Sequence, residues 1–201
     1  VKTESAIEFA LQLRIPGWCP DAVLEIDGNR SSPAEGEFHR INRRWDGTTR
    51  FSLDLPMKPR VVARPNDLSA VTRGPLVYSL PIGERWVRIN EDEPGKEPPH
   101  CDYEIYPTTH WGYALCIDTS NPESSIDFVN RNVGESPFSP DGAPVTAHVD
   151  AKKVDWERAN GAAAAVPDLS RLAEEVDRVT LIPYGCTNLR MTEMPVVECR
   201  T

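Results

Sequence analysis

The sequence has few basic residues, and they do not cluster. There are 22 lysines and arginines against 31 acidic residues, which gives a formal net charge of −9. Proteins that bind nucleic acids need clustered lysine and arginine to contact the phosphates, so we expect no nucleic-acid partner. No apolar run approaches the roughly 20 residues of a membrane-spanning helix, so we expect no membrane partner either.

The common motifs of catalysis and cofactor binding are also missing. There is no P-loop, no G-x-G-x-x-G and no G-x-S-x-G. The five cysteines form no C-x-x-C pair, so we expect buried free thiols, and the cellular compartment stays open. His100, Cys101, His110 and Cys116 lie near one another in sequence, but their spacing matches no zinc pattern. We therefore expect no metal and no cofactor in this chain.

Short segments of alternating apolar and polar residues are abundant. Nineteen prolines and twelve glycines separate them, which argues against long helices. Residues 9–15, 22–26 and 51–55 alternate as half-buried strands do. Asp27-Gly28 suits a tight hairpin turn, with residues 38–41 as the return strand. The pattern predicts an all-β chain of two antiparallel, jelly-roll-like β-sandwich units with little helix.

An apolar run at residues 73–80, RGPLVYSL, divides the two predicted units. Strands are densely spaced before this run, whereas Pro-rich and acidic connections follow it. We interpret the run as a seam between a first sandwich at 1–80 and a C-terminal sandwich at 81–201. The chain starts at Val1 without an initiator methionine, so we expect it to be a piece of a longer protein.

Five tryptophans raise the alternative of carbohydrate binding. An exposed indole on a β-sandwich stacks well on a sugar ring, but a tryptophan more often lies in the core. Trp111 has polar neighbours and is our candidate sugar contact. We assign no catalytic residue, because nothing in the sequence selects the carboxylate pair that glycoside hydrolysis needs.

Several strings resemble glycoside hydrolase family 127, the β-L-arabinofuranosidase-like enzymes. Their order and spacing are more specific than any single string. Gly112 stands where the family shows asparagine, and residues 46–49 depart from the family's Gly-Asp turn. The strings are LRIPGWC at 13–19, G-x-F-x-x-I at 36–41, RW at 44–45, LDLPM at 53–57, RGPLVY at 73–78, WGYAL at 111–115 and IPYGCTNLRMT at 182–192.

The resemblance implies a parent enzyme in which an (α/α)₆ barrel precedes β-sandwiches. In that family the barrel holds the cysteine nucleophile, the zinc-binding thiolates and the acid–base glutamate. None of those motifs occurs here, and Cys19 belongs to a sandwich string. The resemblance therefore implies a non-catalytic C-terminal part that packs on the upstream barrel and supports a homodimer, with a first sandwich lacking its opening strands. A carbohydrate-binding module and an autonomous glycosidase with unrecognised carboxylates stay open as alternatives.

Two structural expectations follow. A unit that packs on a barrel should expose an apolar patch in its absence, and we expect this patch on the first unit, with Val23 and Val77 as candidates. Tyr184 follows an apolar strand, so we expect its ring to close one end of a sandwich and its hydroxyl to find a buried backbone partner.

Overall fold

The computed structural model describes residues 1–199. These residues form eighteen β-strands and three one-turn 3₁₀ helices, with no α-helix among them. The prediction of an all-β chain with little helix is confirmed. No helix within residues 1–199 has the length and apolar character needed to cross a lipid bilayer. The chain divides into two compact units, Val1–Lys58 and the part that begins at Pro59.

The first unit contains five strands in two small antiparallel sheets. The Asp27-Gly28 turn is confirmed, with positive φ at both residues. The return strand of this hairpin is β3, however, and the predicted return strand lies in β4, which pairs with β1. Alternation identified both strands but could not identify their partners. The strands are β1 (Ile7–Arg14), β2 (Val23–Ile26), β3 (Asn29–Ser31), β4 (Phe38–Trp45) and β5 (Phe51–Asp54), with β2 between β3 and β5.

Two residues of the LRIPGWC string lie in the core of the first unit. Ile15, Cys19 and Ala22 are fully buried and pack against Leu53 and Leu55. The Ile15 amide donates to the Glu37 carbonyl at 2.8 Å, and the Cys19 thiol lies 3.7 Å from the Pro56 carbonyl oxygen. The string therefore connects β1 to the small sheet through buried side chains.

The second unit is organised around a nine-stranded sheet. Its main path runs β18-β11-β13-β16-β8-β7-β6, with β12 paired to β13 and β17 paired to β8. The pairings are antiparallel except β11 with β18, which is parallel. Two hairpins, β9–β10 and β14–β15, stand apart from this sheet. The strands are β6 (Pro59–Ala63), β7 (Ser69–Arg73), β8 (Leu76–Pro81), β9 (Glu84–Ile89), β10 (Asp102–Pro107), β11 (Tyr113–Cys116), β12 (Ile126–Asn130), β13 (Val145–Lys153), β14 (Arg158–Ala159), β15 (Ala162–Ala163), β16 (Val176–Pro183), β17 (Arg190–Met191) and β18 (Val196–Val197).

The run at residues 73–80 lies inside the second unit rather than at a seam. Gly74, with φ +58°, and Pro75 form a hairpin turn between β7 and β8. Tyr78 and Leu80 of β8 then enter the main core, and Ser79 pairs with Ile182 of β16. The boundary between the compact units is thus at 58/59 instead of the predicted 80/81. Local strand spacing could not show that β8 pairs with a strand so distant in sequence.

One pair of cysteines is bonded. Cys116, at the end of β11, forms a disulfide with Cys199, and their Cα atoms are 5.2 Å apart. Cys19 and Cys186 are buried free thiols as expected, and Cys101 is half-buried. The expectation of free thiols is therefore wrong for this pair. The bond fixes the end of the described chain next to β11, where β18 already pairs.

Candidate functional site

Trp111 lies in the short connection between β10 and β11, on the wall of a cavity in the second unit. The connection is pressed against residues 154–156. A Cβ atom added at Gly112 would lie 2.5 Å from the Val154 carbonyl oxygen and 2.9 Å from Trp156 Cβ. The Val154 amide also donates to the Gly112 carbonyl at 2.9 Å. Position 112 therefore favours glycine, because any side chain there would collide with residues 154–156.

A second indole supports Trp111 from one side. The ring centroids of Trp111 and Trp156 are 5.9 Å apart with an interplanar angle of 40°. Trp156 is buried, and its Nε1 donates to the Ala164 carbonyl at 3.0 Å. Trp111 is half-buried. A buried, hydrogen-bonded neighbour restricts the orientation of Trp111 while part of its surface stays accessible from the cavity.

The cavity has a volume of about 340 Å³, near the lower end of the ~300–1,000 Å³ range of ligand pockets. One wall is the β14–β15 hairpin, whose tip at Asn160-Gly161 has positive φ angles. The small side chains of Ala162 and Ala163 leave open space beside Trp111. The other lining residues are mainly apolar and come from β10, β17 and the segments that follow β8 and precede β17; they are Ile82, Ile105, Pro107, Leu189 and Met191.

The charged residues that line the cavity are two arginines, Arg158 and Arg190. Arg190 is held in place, because its Nη1 donates to the carbonyls of Thr187 at 2.6 Å and Asn188 at 2.9 Å, and its guanidinium lies 3.6 Å from the Tyr184 ring centroid. Arg158 is exposed, and within residues 1–199 it makes no hydrogen bond or ion pair. Neither aspartate nor glutamate is among the described residues that line this cavity.

Glu84, at the start of β9, connects the cavity wall to the β9–β10 hairpin. Its carboxylate accepts hydrogen bonds from the Leu189 amide at 2.8 Å and the Trp86 indole at 2.9 Å. Burial opposes ionisation of this carboxyl, but these bonds together with those from Asn188 outweigh burial and lower the pKa of Glu84. The ionised carboxylate thereby holds Leu189, which lines the cavity, in place.

The expectation for Tyr184 is wrong. Its side chain is 48% exposed and covers the Arg190 guanidinium instead of closing a buried end of the sheet. Within the described residues no hydrogen bond engages its hydroxyl. Tyr184 lines a different, apolar groove of about 530 Å³ together with Phe138 and Pro75. The apolar strand β16 ends at Pro183, and its pattern carries no sign that the ring of the next residue lies outside the core.

The four residues considered for a metal are not assembled into a site. Cys116 is bonded to Cys199, and His110 Nε2 lies 2.6 Å from the Gly112 carbonyl oxygen. In the part of the chain that the structure describes, no group of three or more potential ligands is placed to hold a metal ion. A chain without metal stays a prediction, which elemental analysis of the purified protein would check.

The carboxyl groups with shifted pKa values do not resemble a glycosidase acid. A general acid in glycoside hydrolysis needs a raised pKa to stay protonated. Five carboxyl groups here have lowered pKa values because hydrogen bonds stabilise their ionised forms; these are Glu84, Asp102, Asp118, Asp168 and Asp177. The alternative of an autonomous glycosidase therefore gains no support from these groups.

Comparison with known proteins gives the family context of the first unit. Residues 1–57 match the family model of the beta-L-arabinofuranosidase GH127 middle domain. The matched segment ends one residue before the boundary of the first compact unit at Lys58. No curated protein matches the chain. The resemblance noted in the sequence strings is thereby confirmed, and the match covers the unit that holds LRIPGWC and LDLPM.

Solved glycoside hydrolase structures, two of them named as GH127 enzymes, extend the likeness over nearly the whole chain. A GH127 beta-L-arabinofuranosidase from Geobacillus stearothermophilus T6 has 24% identity and a TM-score of 0.56, and the match covers 98% of this chain and 28% of that one. A glycoside hydrolase has 20% identity and a TM-score of 0.56, with 95% and 28% covered. A GH127 beta-arabinofuranosidase has 18% identity and a TM-score of 0.56, with 97% and 29% covered.

These likenesses concern the fold. The chain spans less than a third of the length of each of the three solved structures. The Trp111 cavity lies in the second unit, outside the segment that the GH127 middle-domain model matches.

Proposed function

We propose that this chain is a non-catalytic β-rich part of a β-L-arabinofuranosidase-like glycoside hydrolase, which packs against the catalytic barrel of its parent protein and helps that protein to dimerise. The GH127 match of residues 1–57 supports the family context. The sequence also lacks the family's catalytic strings. The observation that carries the proposal is an incompletely covered apolar face on the β1–β4 ribbon of the first unit.

This face follows from the register of two paired strands. Ile7, Phe9, Leu11 and Leu13 of β1 fall on one face because side chains alternate along a strand. Ile7 is 53% exposed, and Phe9 is 36% exposed although its ring stacks on Trp45 at 5.3 Å. A two-stranded ribbon is marginally stable alone. An apolar partner surface would both stabilise the ribbon and remove these side chains from water.

The exposed residues differ from the candidates taken from the sequence. Val23 is half-buried in β2, and Val77 is exposed but belongs to the second unit. Ile7 and Phe9 are instead the residues through which we expect the first unit to contact the barrel. Exposed apolar side chains on the second unit, Phe138 at 81% and Val133 at 73%, are candidates for the dimer contact.

The test is association of the purified chain with the barrel of its own parent protein, produced separately. We expect binding in titration calorimetry and no hydrolysis of an aryl β-L-arabinofuranoside by the chain alone. Ile7→Ser should weaken the association about tenfold, as removal of an interface anchor does. Phe138→Ser removes an exposed aromatic ring from the other unit and is the matched control, with unchanged barrel binding.

Two outcomes would contradict the proposal. One is hydrolysis by the isolated chain that disappears when one of its own carboxylates is replaced. The other is a folded chain that binds no barrel. Light scattering tests dimerisation separately: we expect self-association that Phe138→Ser reduces, and a strict monomer at high concentration speaks against the dimer contact.

A further inference from the structure

We propose that the Trp111 cavity binds an acidic sugar residue, with the sugar ring against the Trp111 indole and its carboxylate paired to Arg158. This binding function is independent of packing against a barrel. It concerns the second unit alone, and the residues that carry it come from β10, β14, β15, β17 and the connection that holds Trp111.

The first argument is the rigidity of the indole. The Trp111 ring packs against the buried Trp156 ring. The backbone next to Trp111 is restricted by the close approach of Gly112 to Val154. A preorganised aromatic ring loses little conformational entropy when a ligand binds. The C–H groups on one face of a sugar ring are apolar and pack on an aromatic face, while its hydroxyls point outward to polar partners.

The second argument is charge. The chain has a net charge of −9, yet the charged residues that line this cavity are two arginines. The hydrogen-bonding capacity of Arg190 is partly used by the Thr187 and Asn188 carbonyls. Arg158 makes no hydrogen bond or ion pair within residues 1–199, and a guanidinium presents paired donors that match a carboxylate. An anionic ligand is therefore favoured over a neutral one.

The third argument is size and wall composition. A cavity of about 340 Å³ is near the lower end of the size range of ligand pockets and suits a small ligand such as a sugar rather than a long folded segment. Gly161, Ala162 and Ala163 form a wall without long side chains, so the space beside Trp111 is open to a ligand. Ile105 and Pro107 provide apolar surface on the β10 side. Ligand pockets typically combine such apolar walls with a few polar groups.

The exposed aromatic pair on the β9–β10 hairpin does not form an equivalent site. Trp86 and Tyr103 on the β9–β10 hairpin are 49% and 48% exposed, but their rings meet edge to face at 73°. That pair offers no shared flat platform. Neither residue lines the Trp111 cavity.

The test is titration calorimetry of the purified chain with three probes. Sodium D-galacturonate carries both the ring and the carboxylate, D-galactose carries the ring, and sodium acetate carries the carboxylate. We expect galacturonate to bind at least about tenfold more tightly than either other probe, since a charge-assisted hydrogen bond contributes that much. Added salt should weaken the binding of galacturonate.

Variants then locate the bound sugar. Arg158→Gln should weaken galacturonate binding about tenfold and bring it near that of galactose. Ala162→Trp should abolish binding by filling the cavity, without removing any packed side chain. Arg85→Gln is the control, because Arg85 shares the neighbourhood of Tyr106 with Arg158 but does not line the cavity.

The proposal is overturned if galacturonate and galactose bind equally, or if galacturonate does not bind a chain that unfolds cooperatively. Galacturonate binding that survives Ala162→Trp and Arg158→Gln in folded variants would place the sugar elsewhere and would equally overturn it. The two proposals can fail separately, because the barrel contact is assigned to the first unit and the sugar site to the second. A chain that binds no barrel would still be expected to bind galacturonate.

Discussion

The Glu84 carboxylate accepts a hydrogen bond from the Leu189 amide at 2.8 Å, although the two residues are 105 positions apart in sequence. The same carboxylate accepts from the Trp86 indole. One acidic side chain thus ties the β9–β10 hairpin to the turn that leads into β17. Because Leu189 and Arg190 line the Trp111 cavity, the cavity depends on this contact.

Replacing Glu84 with glutamine should destabilise the fold in a pH-dependent way. Hydrogen bonds lower the folded-state pKa of Glu84, so its stabilising contribution is present above the unfolded-state pKa of about 4.3 and is lost as the pH falls through the folded-state value. We expect Glu84→Gln to cost about 1 kcal/mol at pH 7 and the difference from wild type to shrink in acid. Urea unfolding at pH 7 and pH 3 measures it. If the variant were destabilised by the same amount at pH 7 and pH 3, the ionised Glu84 carboxylate would not be the source of the stabilisation.

Gly112 should tolerate no side chain. Alanine there would place Cβ 2.5 Å from the Val154 carbonyl oxygen, and the backbone would have to move. We expect Gly112→Ala to lower the free energy of unfolding by roughly 1–3 kcal/mol, as overpacking does. Gly134→Ala is the matched control, because nothing lies within 4 Å of a Cβ at Gly134. Chemical denaturation compares the two, and equal effects would show that the connection beside Trp111 is not tightly packed.

The Cys116–Cys199 disulfide should be a major stabilising contact. The bonded residues are 83 positions apart, and closing a long loop restricts the unfolded chain, typically by about 2–4 kcal/mol. Cys199→Ser should lower stability in that range, and a reducing agent should do the same to the wild type. Cys101→Ser, at a half-buried free thiol, is the control. Titration of the unreduced, unfolded chain should find the thiols of Cys19, Cys101 and Cys186 alone; detection of all five cysteines as thiols would refute the bond.

Tyr184 should contribute through its ring and not through its hydroxyl. The ring covers the Arg190 guanidinium at 3.6 Å, and a cation–π contact at a half-exposed site contributes about 0.5–1 kcal/mol. We expect Tyr184→Phe to change stability by less than about 0.5 kcal/mol and Tyr184→Ala to lose the full contact. Calorimetric unfolding of both variants distinguishes the roles. A larger loss of stability in the phenylalanine variant would show that the Tyr184 hydroxyl makes a stabilising hydrogen bond, and would contradict this prediction.

The sequence predicted local features well. Alternation identified β1, β2 and β5, and Asp27-Gly28 identified a turn that needs positive φ at both residues. Trp111 was singled out by its polar neighbours, and it does line a cavity. Arg158 was missed because an arginine in an irregular, alanine-rich stretch carries no local signal. Only the fold shows that Arg158, in β14, lines the same cavity as Trp111.

The amino-acid sequence by itself determined the all-β class and the short strands, because side-chain alternation and Gly/Pro turns are local properties of the chain. It also carried the strings that connect the first unit to GH127. Tertiary structure decided which strands pair: β8 with β16, and β4 with β1. It also joined Cys116 to Cys199 and brought Trp111, Arg158 and Arg190 around one cavity. A strand's pattern shows which of its faces is buried, but the partner is selected by packing between segments far apart in sequence, and that selection has no local signature.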